Sequence, residues 1–175
     1  MKSSLNHSKV TLLKPSIYLV SSSLPGTLYL MPKPSEEWLE EDIDHYRSVG
    51  VDVVVSLLEQ DEASELGLEN EDQVCQRLQI DFVQYSVRDR GLPEIEAFKH
   101  LSQRLASDLR QGRNVAVHCR AGIGRSGILV CCLLQHFGHS PEAAIEIASL
   151  ARGVRVPDTD EQRKFIVNYE DQADC

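Results

Sequence analysis

Long apolar stretches are missing from this sequence of 175 residues. No run approaches the roughly eighteen consecutive apolar residues that indicate a transmembrane helix. Residues 1–15 also lack the continuous apolar region of a secretory signal. Both absences lead us to expect a cytoplasmic protein.

Basic residues are scarce relative to acidic ones. Eighteen Lys and Arg stand against 27 Asp and Glu, which gives a formal net charge of −9 and an isoelectric point near 5.1. Proteins that bind nucleic acid or dock on anionic membranes tend to carry the opposite bias. We therefore expect neither a nucleic acid nor a membrane as a partner.

The cysteines follow no recognisable pattern. The five lie at positions 75, 119, 131, 132 and 175. An odd number at irregular spacing fits neither a disulfide framework nor a zinc site. This again favours the reducing cytosol.

What remains is the composition of one soluble globular domain. Hydrophobic residues make up 42% and charged residues 26% of the chain, and we find no repeat or convincing linker. The length suffices to bury a sizeable core. We expect a single domain over residues 1–175 that acts as a monomer.

Strand and helix patterns alternate along the chain. Val51–Leu58 is almost unbroken aliphatic sequence, which is typical of a strand covered on both faces. Asn70 with Gln73, and Asp158 with Glu161, resemble helix-capping pairs. The alternation implies an α/β fold, with a mostly parallel sheet and helices on both faces. The expected strands are residues 17–20, 27–31, 51–58, 80–87 and 115–117, and the expected helices begin near residues 35, 70, 93, 128, 141 and 158.

A glycine-rich loop follows the last expected strand. The stretch VAVHCRAGIGRSG, Val115–Gly127, leads from that strand into an apolar helix. A strand, a tight loop and a helix N-terminus together form a site for an anion. Backbone N–H groups between Cys119 and Arg125 can surround one tetrahedral dianion, to which Arg125 adds a planar fork. The same donors favour a thiolate, so we expect the pKa of Cys119 to lie within roughly 3.5–7.5.

The loop resembles the signature of the cysteine-dependent protein tyrosine phosphatase superfamily. The signature H-C-x-x-G-x-x-R-[ST] is matched without a gap by His118, Cys119, Gly122, Arg125 and Ser126. A thiolate that faces a phosphate held by fixed donors is a phosphoryl-accepting nucleophile. The alternative is a buried structural cysteine in a tight turn. The phosphate-binding residues implied are Arg120, Ala121, Gly122, Ile123, Gly124 and Arg125.

Two neighbours of the nucleophile receive supporting roles from this resemblance. Ser126 would stabilise the sulfur as a leaving group, and it could equally serve as a helix N-cap. His118 would order the loop through hydrogen bonds to the backbone. Because the loop and Arg125 already supply electrophilic assistance, no metal and no organic cofactor is implied.

A second stretch supplies a candidate acid. VRDRGLP, Val87–Pro93, resembles the mobile W-P-D-x-G-x-P loop of the superfamily, with Asp89 in the place of the general acid. Asp89 could instead be a turn aspartate, and Asp81 or Glu94 would then be the next candidates. The segment PDTDEQRKFI resembles the one whose glutamine positions the hydrolytic water, here Gln162, although an exposed helix residue is the alternative interpretation.

The resemblance covers roughly residues 51–169 and is closest to compact dual-specificity phosphatases of the kinase-associated kind. It implies a central sheet of about five strands flanked by helices. The deep-pocket tyrosine loop of phosphotyrosine-only enzymes is not recognisable in residues 1–50. We therefore expect a phosphoprotein phosphatase that accepts phosphotyrosine, phosphoserine and phosphothreonine and acts through a cysteinyl-phosphate intermediate.

Other classes fit less well. Rhodanese-like sulfurtransferases use a loop that is one residue shorter and need no acid at Asp89. Low-molecular-weight phosphatases and arsenate reductases carry their cysteine near the N-terminus, unlike Cys119. A non-catalytic phosphate-binding module would most simply lack the nucleophile, the arginine or the acid, and all three are present here. A phosphatase for phosphoinositides or small phosphate esters is the alternative on substrate. Such lipid phosphatases often carry two basic residues in the loop, of which Arg120 supplies one while Ile123 occupies the other place. Cys75 is either a core cysteine or a redox partner of Cys119.

Overall fold

A five-stranded sheet forms the centre of the protein in the computed structural model, which describes residues 13–169. The strands are β1 Tyr18–Ser21, β2 Leu28–Met31, β3 Val53–Ser56, β4 Asp81–Gln84 and β5 Val115–His118. Their spatial order is β1-β2-β5-β3-β4, with β1 antiparallel to β2 and the other pairs parallel. The α/β class and the mostly parallel sheet of five strands are confirmed.

Helices connect the strands and cover both faces of the sheet. The described residues form α1 Leu39–Ser48, α2 Gln60–Glu65, α3 Glu71–Arg77, α4 Ile95–Arg110, α5 Arg125–Gln135, α6 Pro141–Arg152 and α7 Asp160–Asn168. Across residues 13–169, none of these helices is both long and apolar enough to cross a membrane.

Alternate residues of the buried strands separate two apolar clusters. Val53, Val55 and Val117 face the larger cluster, which contains α4, α5, α6 and α7. Val54 and Ala116 face the smaller one, formed with α1 and α3. Such a period of two is expected of a sheet that is covered on both sides. The first ten residues of α5 are all buried, because this helix lies between the sheet and the neighbouring helices.

Local capping differs from the expected pattern in several places. Asn70 precedes α3 but its side chain caps nothing, and the Gln73 N–H instead donates to the Asp72 carboxylate at 2.8 Å. A capping box forms at Glu59 and Glu62, which start α2, a helix that the sequence pattern did not predict. A helix of six residues is too short to show an apolar period.

The last helix also begins differently. Thr159 and Gln162 form the capping box of α7, rather than Asp158 and Glu161. The Thr159 hydroxyl accepts the Gln162 N–H at 3.1 Å, which places the true N-cap one residue later than expected.

The strands expected at 51–58 and 80–87 and the helix expected from residue 35 are all shorter in the structure. Pairing of β3 and β4 stops at Ser56 and Gln84. The helix expected from residue 35 starts at Leu39, because Ser35 donates its N–H to the Asp42 carboxylate at 2.8 Å and folds back on the helix. Because β3, β4 and β5 are parallel, their carboxyl ends lie at the same edge of the sheet, which is where ligands bind in parallel sheets.

Candidate active site

Cys119 directly follows β5 and is 3% exposed. Its Sγ lies 3.1 Å from the Ser126 Oγ. Burial opposes a charged sulfur, but the Ser126 hydroxyl, the backbone N–H groups of Ser126 and Ile123, and Arg125 outweigh it. Together they lower the pKa of Cys119, in the direction expected from the sequence.

The loop from residue 120 to residue 124, here called the phosphate loop, curls tightly between β5 and α5. Gly122 has a φ of +70°, and a Cβ there would approach the Met31 carbonyl to 2.5 Å, so this position requires glycine. Arg152 at the end of α6 donates to the carbonyls of Ala121 and Gly122, both at 3.1 Å. Because these carbonyls are held outward by Arg152, the loop is free to present N–H groups on its inner side.

The remaining loop residues line its rim. Arg120 and Ala121 are exposed, and Ile123 and Gly124 are half-buried. The Lys33 N–H donates to the Arg120 carbonyl at 3.1 Å, which ties the segment before α1 to the loop.

Arg125 starts α5 with its guanidinium aimed at residues 87–93, here called the acid loop. It forms a bidentate pair with Glu62, at 2.7 Å and 2.9 Å. Its Nη1 also donates to the Val87 carbonyl at 2.9 Å, and its Nη2 donates to Asp89 Oδ1 at 3.2 Å. The side chain is nearly buried, so this set of acceptors fixes the plane of the fork.

Asp89 lies beside Arg125 in the loop that follows β4. Its side chain is 58% exposed, which allows it to reach a leaving group outside the phosphate loop. Asp81 lies at the opposite, amino end of β4 and pairs with Arg113. Glu94 caps α4, and bonds from the N–H groups of Ala97 and Glu96 lower its pKa. Of these three carboxylates, Asp89 is the one that the fold brings to Arg125.

Gln162 is fully buried, so the interpretation as an exposed helix residue is wrong. Its Oε1 accepts the N–H groups of Asp158 and Thr159, both at 3.1 Å. Its Nε2 donates to the Gly91 carbonyl at 3.3 Å. A Cβ on Gly124 would meet the Gln162 amide at 3.0 Å. Gln162 thus joins the start of α7 to both the acid loop and the phosphate loop.

His118, the last residue of β5, is fully buried behind the nucleophile. Its Nδ1 lies 3.0 Å from the Cys119 carbonyl oxygen, and its Nε2 lies 2.8 Å from Glu71 Oε1. Burial alone would favour neutral imidazole, but the Glu71 carboxylate outweighs it and raises the pKa of His118.

Three residues of this site were not predicted from the sequence. Glu62 and Glu71 lie on short helices, and Arg152 ends α6, far along the chain from the loop that it contacts. The capping box at Glu59 was a local sign of α2, but no local pattern connects Glu62 to Arg125. These contacts exist because the sheet edge gathers separate elements.

Cys75 is buried in the smaller apolar cluster, whereas Cys119 belongs to the larger one on the other face of the sheet. Burial, with Glu71 and Asp72 nearby, raises the pKa of Cys75. This environment is that of a core cysteine. Cys131 and Cys132 are buried in α5, and Cys175 lies outside the described residues. Across residues 13–169, no three His, Cys, Asp or Glu side chains form a group that could hold a metal ion.

Comparisons with known proteins identify the family of this chain. A family model described as PTP-SAK, Swiss Army Knife protein, DSP-PTPase phosphatase domain, matches residues 19–170. Cyclin-dependent kinase inhibitor 3 of Rattus norvegicus is 26% identical over 159 residues, which cover 90% of this chain and 74% of the relative.

Solved structures share the fold. Kinase associated phosphatase (KAP), with a serine in place of its catalytic-site cysteine, superposes with a TM-score of 0.80 at 22% identity, over 89% of this chain and 93% of that one. PTPMT1 in complex with PI(5)P has a TM-score of 0.67 at 21% identity, over 86% of this chain and 92% of that one. The chain therefore belongs to the PTP-SAK family of DSP-PTPase phosphatase domains and is a compact dual-specificity-type phosphatase of the cysteine-dependent protein tyrosine phosphatase superfamily.

Proposed function

We propose that this protein hydrolyses phosphotyrosine, phosphoserine and phosphothreonine in proteins through a phosphate ester on Cys119. The main support is the placement of the Cys119 sulfur 3.1 Å from the Ser126 hydroxyl, inside a loop that Arg125 closes. A buried thiol in such a ring of donors is an activated nucleophile for phosphorus.

In the first step, the Cys119 thiolate attacks phosphorus opposite the ester oxygen. The S–P bond forms, the P–O bond breaks, and Asp89 gives its proton to the departing oxygen. Arg125 uses Nη1 and Nη2 for Glu62, Val87 and Asp89, whereas its Nε donates to no described residue. A bound phosphate would take Nε and the Nη2 proton that Asp89 now accepts, which would free Asp89 to face the leaving group.

In the second step, water attacks the phosphocysteine and gives a proton to Asp89. The new P–O bond forms while the S–P bond breaks, and the Ser126 hydroxyl stabilises the returning thiolate. Gln162 donates to the Gly91 carbonyl of the acid loop and lies beside Gly124 of the phosphate loop. Its proposed role is therefore to hold the two loops in a fixed relative position, so that the attacking water is positioned between them. Phosphate then leaves, and the atoms balance as hydrolysis of a monoester.

A phosphorylated protein is the substrate class that we favour. One relative is named a cyclin-dependent kinase inhibitor and one fold neighbour a kinase associated phosphatase. Basic side chains border the site in an otherwise acidic chain: Arg120 in the loop, and Arg88 and Arg90 on either side of Asp89. These cations suit an anionic ester, while the net charge of −9 disfavours an anionic membrane. We propose that it acts in the cytoplasm as a monomer without nucleic-acid partners.

A phosphoinositide is the second candidate substrate. Arg120 lies on the rim of the loop, and a fold neighbour was solved with PI(5)P. In a phosphoprotein the phosphate is attached to a peptide, whereas in a phosphoinositide it is attached to an inositol ring. We expect turnover of phosphopeptides to exceed that of short-chain phosphoinositides at equal concentration, and the reverse ranking would favour the lipid.

The covalent step is tested with Cys119→Ser. We expect this variant to lose turnover while it still binds a phosphate ester, because the loop N–H groups and Arg125 remain. Mass spectrometry of the acid-quenched wild-type enzyme should show a phosphate adduct on Cys119. Cys131→Ser, which alters a buried cysteine of α5 away from the loop, is the control. Hydrolysis by Cys119→Ser near the wild-type rate would refute the covalent route.

A further inference from the structure

Glu71 is a carboxylate buried at the start of α3, behind the phosphate loop. It is 2% exposed, and its Oε1 lies 2.8 Å from Nε2 of the fully buried His118. Among residues 13–169, no Lys or Arg side chain forms an ion pair with it. A buried carboxylate is costly unless a cation compensates its charge.

The other titratable neighbours of Glu71 cannot supply that charge. Tyr46 on α1 and Cys75 on α3 both surround it, and burial raises the pKa of each, so both stay neutral. Asp42 on α1 also raises the pKa of Tyr46, and as a carboxylate it can bring only negative charge to the surroundings of Glu71. His118 is therefore the group in this pocket that can carry a positive charge.

The hydrogen bonds of His118 point to the same state. Its Nδ1 faces the carbonyl oxygen of Cys119 at 3.0 Å, and a carbonyl can only accept. Its Nε2 faces a carboxylate, which accepts when it is ionised. With an ionised Glu71, both ring nitrogens must carry protons, so the ring is an imidazolium.

We propose that Glu71 is a positioning residue that keeps His118 doubly protonated, so that this buried ion pair orients the His118–Cys119 peptide and favours the thiolate of Cys119. The inference extends the proposed phosphatase function by adding a residue outside the signature loop. The imidazolium is adjacent in sequence to the thiolate, and its Nδ1–H fixes the carbonyl from which the loop begins. Opposite charges stabilise one another more strongly in a buried site than in water, and the charge on Cys119 contributes to the raised pKa of His118.

The protonation state of His118 can be measured directly in the wild-type protein. Nitrogen-15 NMR of the imidazole should show two N–H protons on His118 at pH 7. A neutral ring, with the proton on Glu71 and Nε2 accepting it, would overturn the proposal even if no variant folded. This measurement needs no substrate, so it does not depend on phosphatase activity.

Glu71→Gln tests the link to the nucleophile. In this variant the new side-chain amide can donate to Nε2, so His118 becomes neutral and the pocket loses both charges together. Asp72→Asn removes an exposed carboxylate from the next position of the same helix and is the matched control. Thermal unfolding and circular dichroism establish that both variants are folded.

The readout is the pH dependence of Cys119 alkylation by iodoacetamide. We expect the midpoint in Glu71→Gln to rise by about half a unit to one unit, and the acidic limb of kcat/KM to move by the same amount. Asp72→Asn should leave both unchanged. A lower rate in Glu71→Gln without movement of either midpoint would mean that Glu71 merely supports the fold. If the alkylation midpoint of Glu71→Gln rises as expected but the wild-type protein hydrolyses no phosphate ester, the proposed function is refuted and the role of Glu71 stands.

Discussion

Arg125 shows how single residues of this site depend on partners outside the signature. Four of its guanidinium contacts go to protein acceptors, two of them to Glu62. Arg125 lowers the pKa of Glu62, first through the side-chain hydrogen bond. Removing the Glu62 carboxylate would leave the Val87 carbonyl and Asp89 to orient the guanidinium, although the signature itself would be unchanged.

We predict that Glu62→Gln lowers kcat/KM by about tenfold to a hundredfold, the equivalent of the roughly 1.5–3 kcal/mol that a hydrogen bond to a charged group contributes. Glu65→Gln, on the same helix, is the control. Because the folded protein lowers the pKa of Glu62 below its ordinary 4.5, its carboxylate stabilises the fold above that pH. The difference in free energy of unfolding between wild type and Glu62→Gln should shrink as the pH falls below about 4.5. Urea unfolding at a series of pH values measures this free energy for both proteins. A difference that does not change with pH would contradict the ion pair between Glu62 and Arg125.

Asp89→Asn should lose most activity on esters whose leaving groups need a proton. An aryl oxide such as p-nitrophenolate leaves with little help, whereas a serine alkoxide must be protonated as the P–O bond breaks. General acids contribute typically about 10²–10⁴-fold in such cases. First-step rates over a series of aryl and alkyl phosphates measure the effect, with Asp81→Asn as the control at the far end of β4. An equal loss on every ester would mean that Asp89 only shapes the loop.

At the scale of elements, the site is assembled from the ends of strands and helices that lie far apart in sequence. The guanidinium of Arg152 also stacks over the Tyr18 ring at 4.5 Å, so α6 connects β1 with the phosphate loop. Ser140 caps the start of α6 by accepting the Ala143 N–H, and Gly153 ends it in the left-handed conformation. These terminal residues determine where Arg152 lies relative to the loop.

We predict that Arg152→Lys weakens phosphate binding although it retains the charge. A lysine cannot donate in a fork to both the Ala121 and Gly122 carbonyls, and it stacks less well on Tyr18. Binding of a phosphate ester, measured in the Cys119→Ser background, should weaken severalfold. Arg155→Lys, three residues further on and paired with Asp160 at the surface, is the control. Equal binding by both variants would mean that the contacts of Arg152 with the loop carbonyls do not shape the phosphate site.

At the scale of the whole molecule, charge and apolar residues are both unevenly distributed. Residues 36–81 contain fifteen acidic and two basic side chains, a net charge of −13, which leaves +4 for the rest of the chain. That acidic part includes α1, α2 and α3, whereas Arg120, Arg125 and Arg152 lie in or against the phosphate loop. The larger apolar cluster surrounds α5, which contacts β2 and β5 of the sheet as well as α4, α6 and α7.

We predict that Leu129→Ala in α5 lowers the free energy of unfolding by about 2–5 kcal/mol, because its side chain is fully buried in the larger cluster. Leu150→Ala, on α6 and 76% exposed, should change it by less than about 0.5 kcal/mol. Urea denaturation at pH 7 compares the two. A similar small loss in both would mean that the core around α5 is not tightly packed.

Elements with a strong local pattern could be predicted from the sequence. The aliphatic run at 51–58 and the apolar helix after residue 125 carry their burial in their own composition. The spacing of Cys119 and Arg125 likewise specifies a loop of fixed length with donors on its inner side. Capping was predicted less well, at Asn70 and Asp158, because several polar residues near a helix start can each compete for the same N–H groups.

The distant groups that complete the site could not be predicted from the sequence, because tertiary contacts bring them together. Glu62 contacts Arg125, Glu71 contacts His118 and Arg152 contacts the phosphate loop, because parallel strands place their carboxyl ends at one edge, where helices from three parts of the chain converge. Gln162 is buried for the same reason, although its neighbours in sequence are polar. Charge compensation between buried groups depends on distances of a few ångströms in space, which spacing along the chain does not encode.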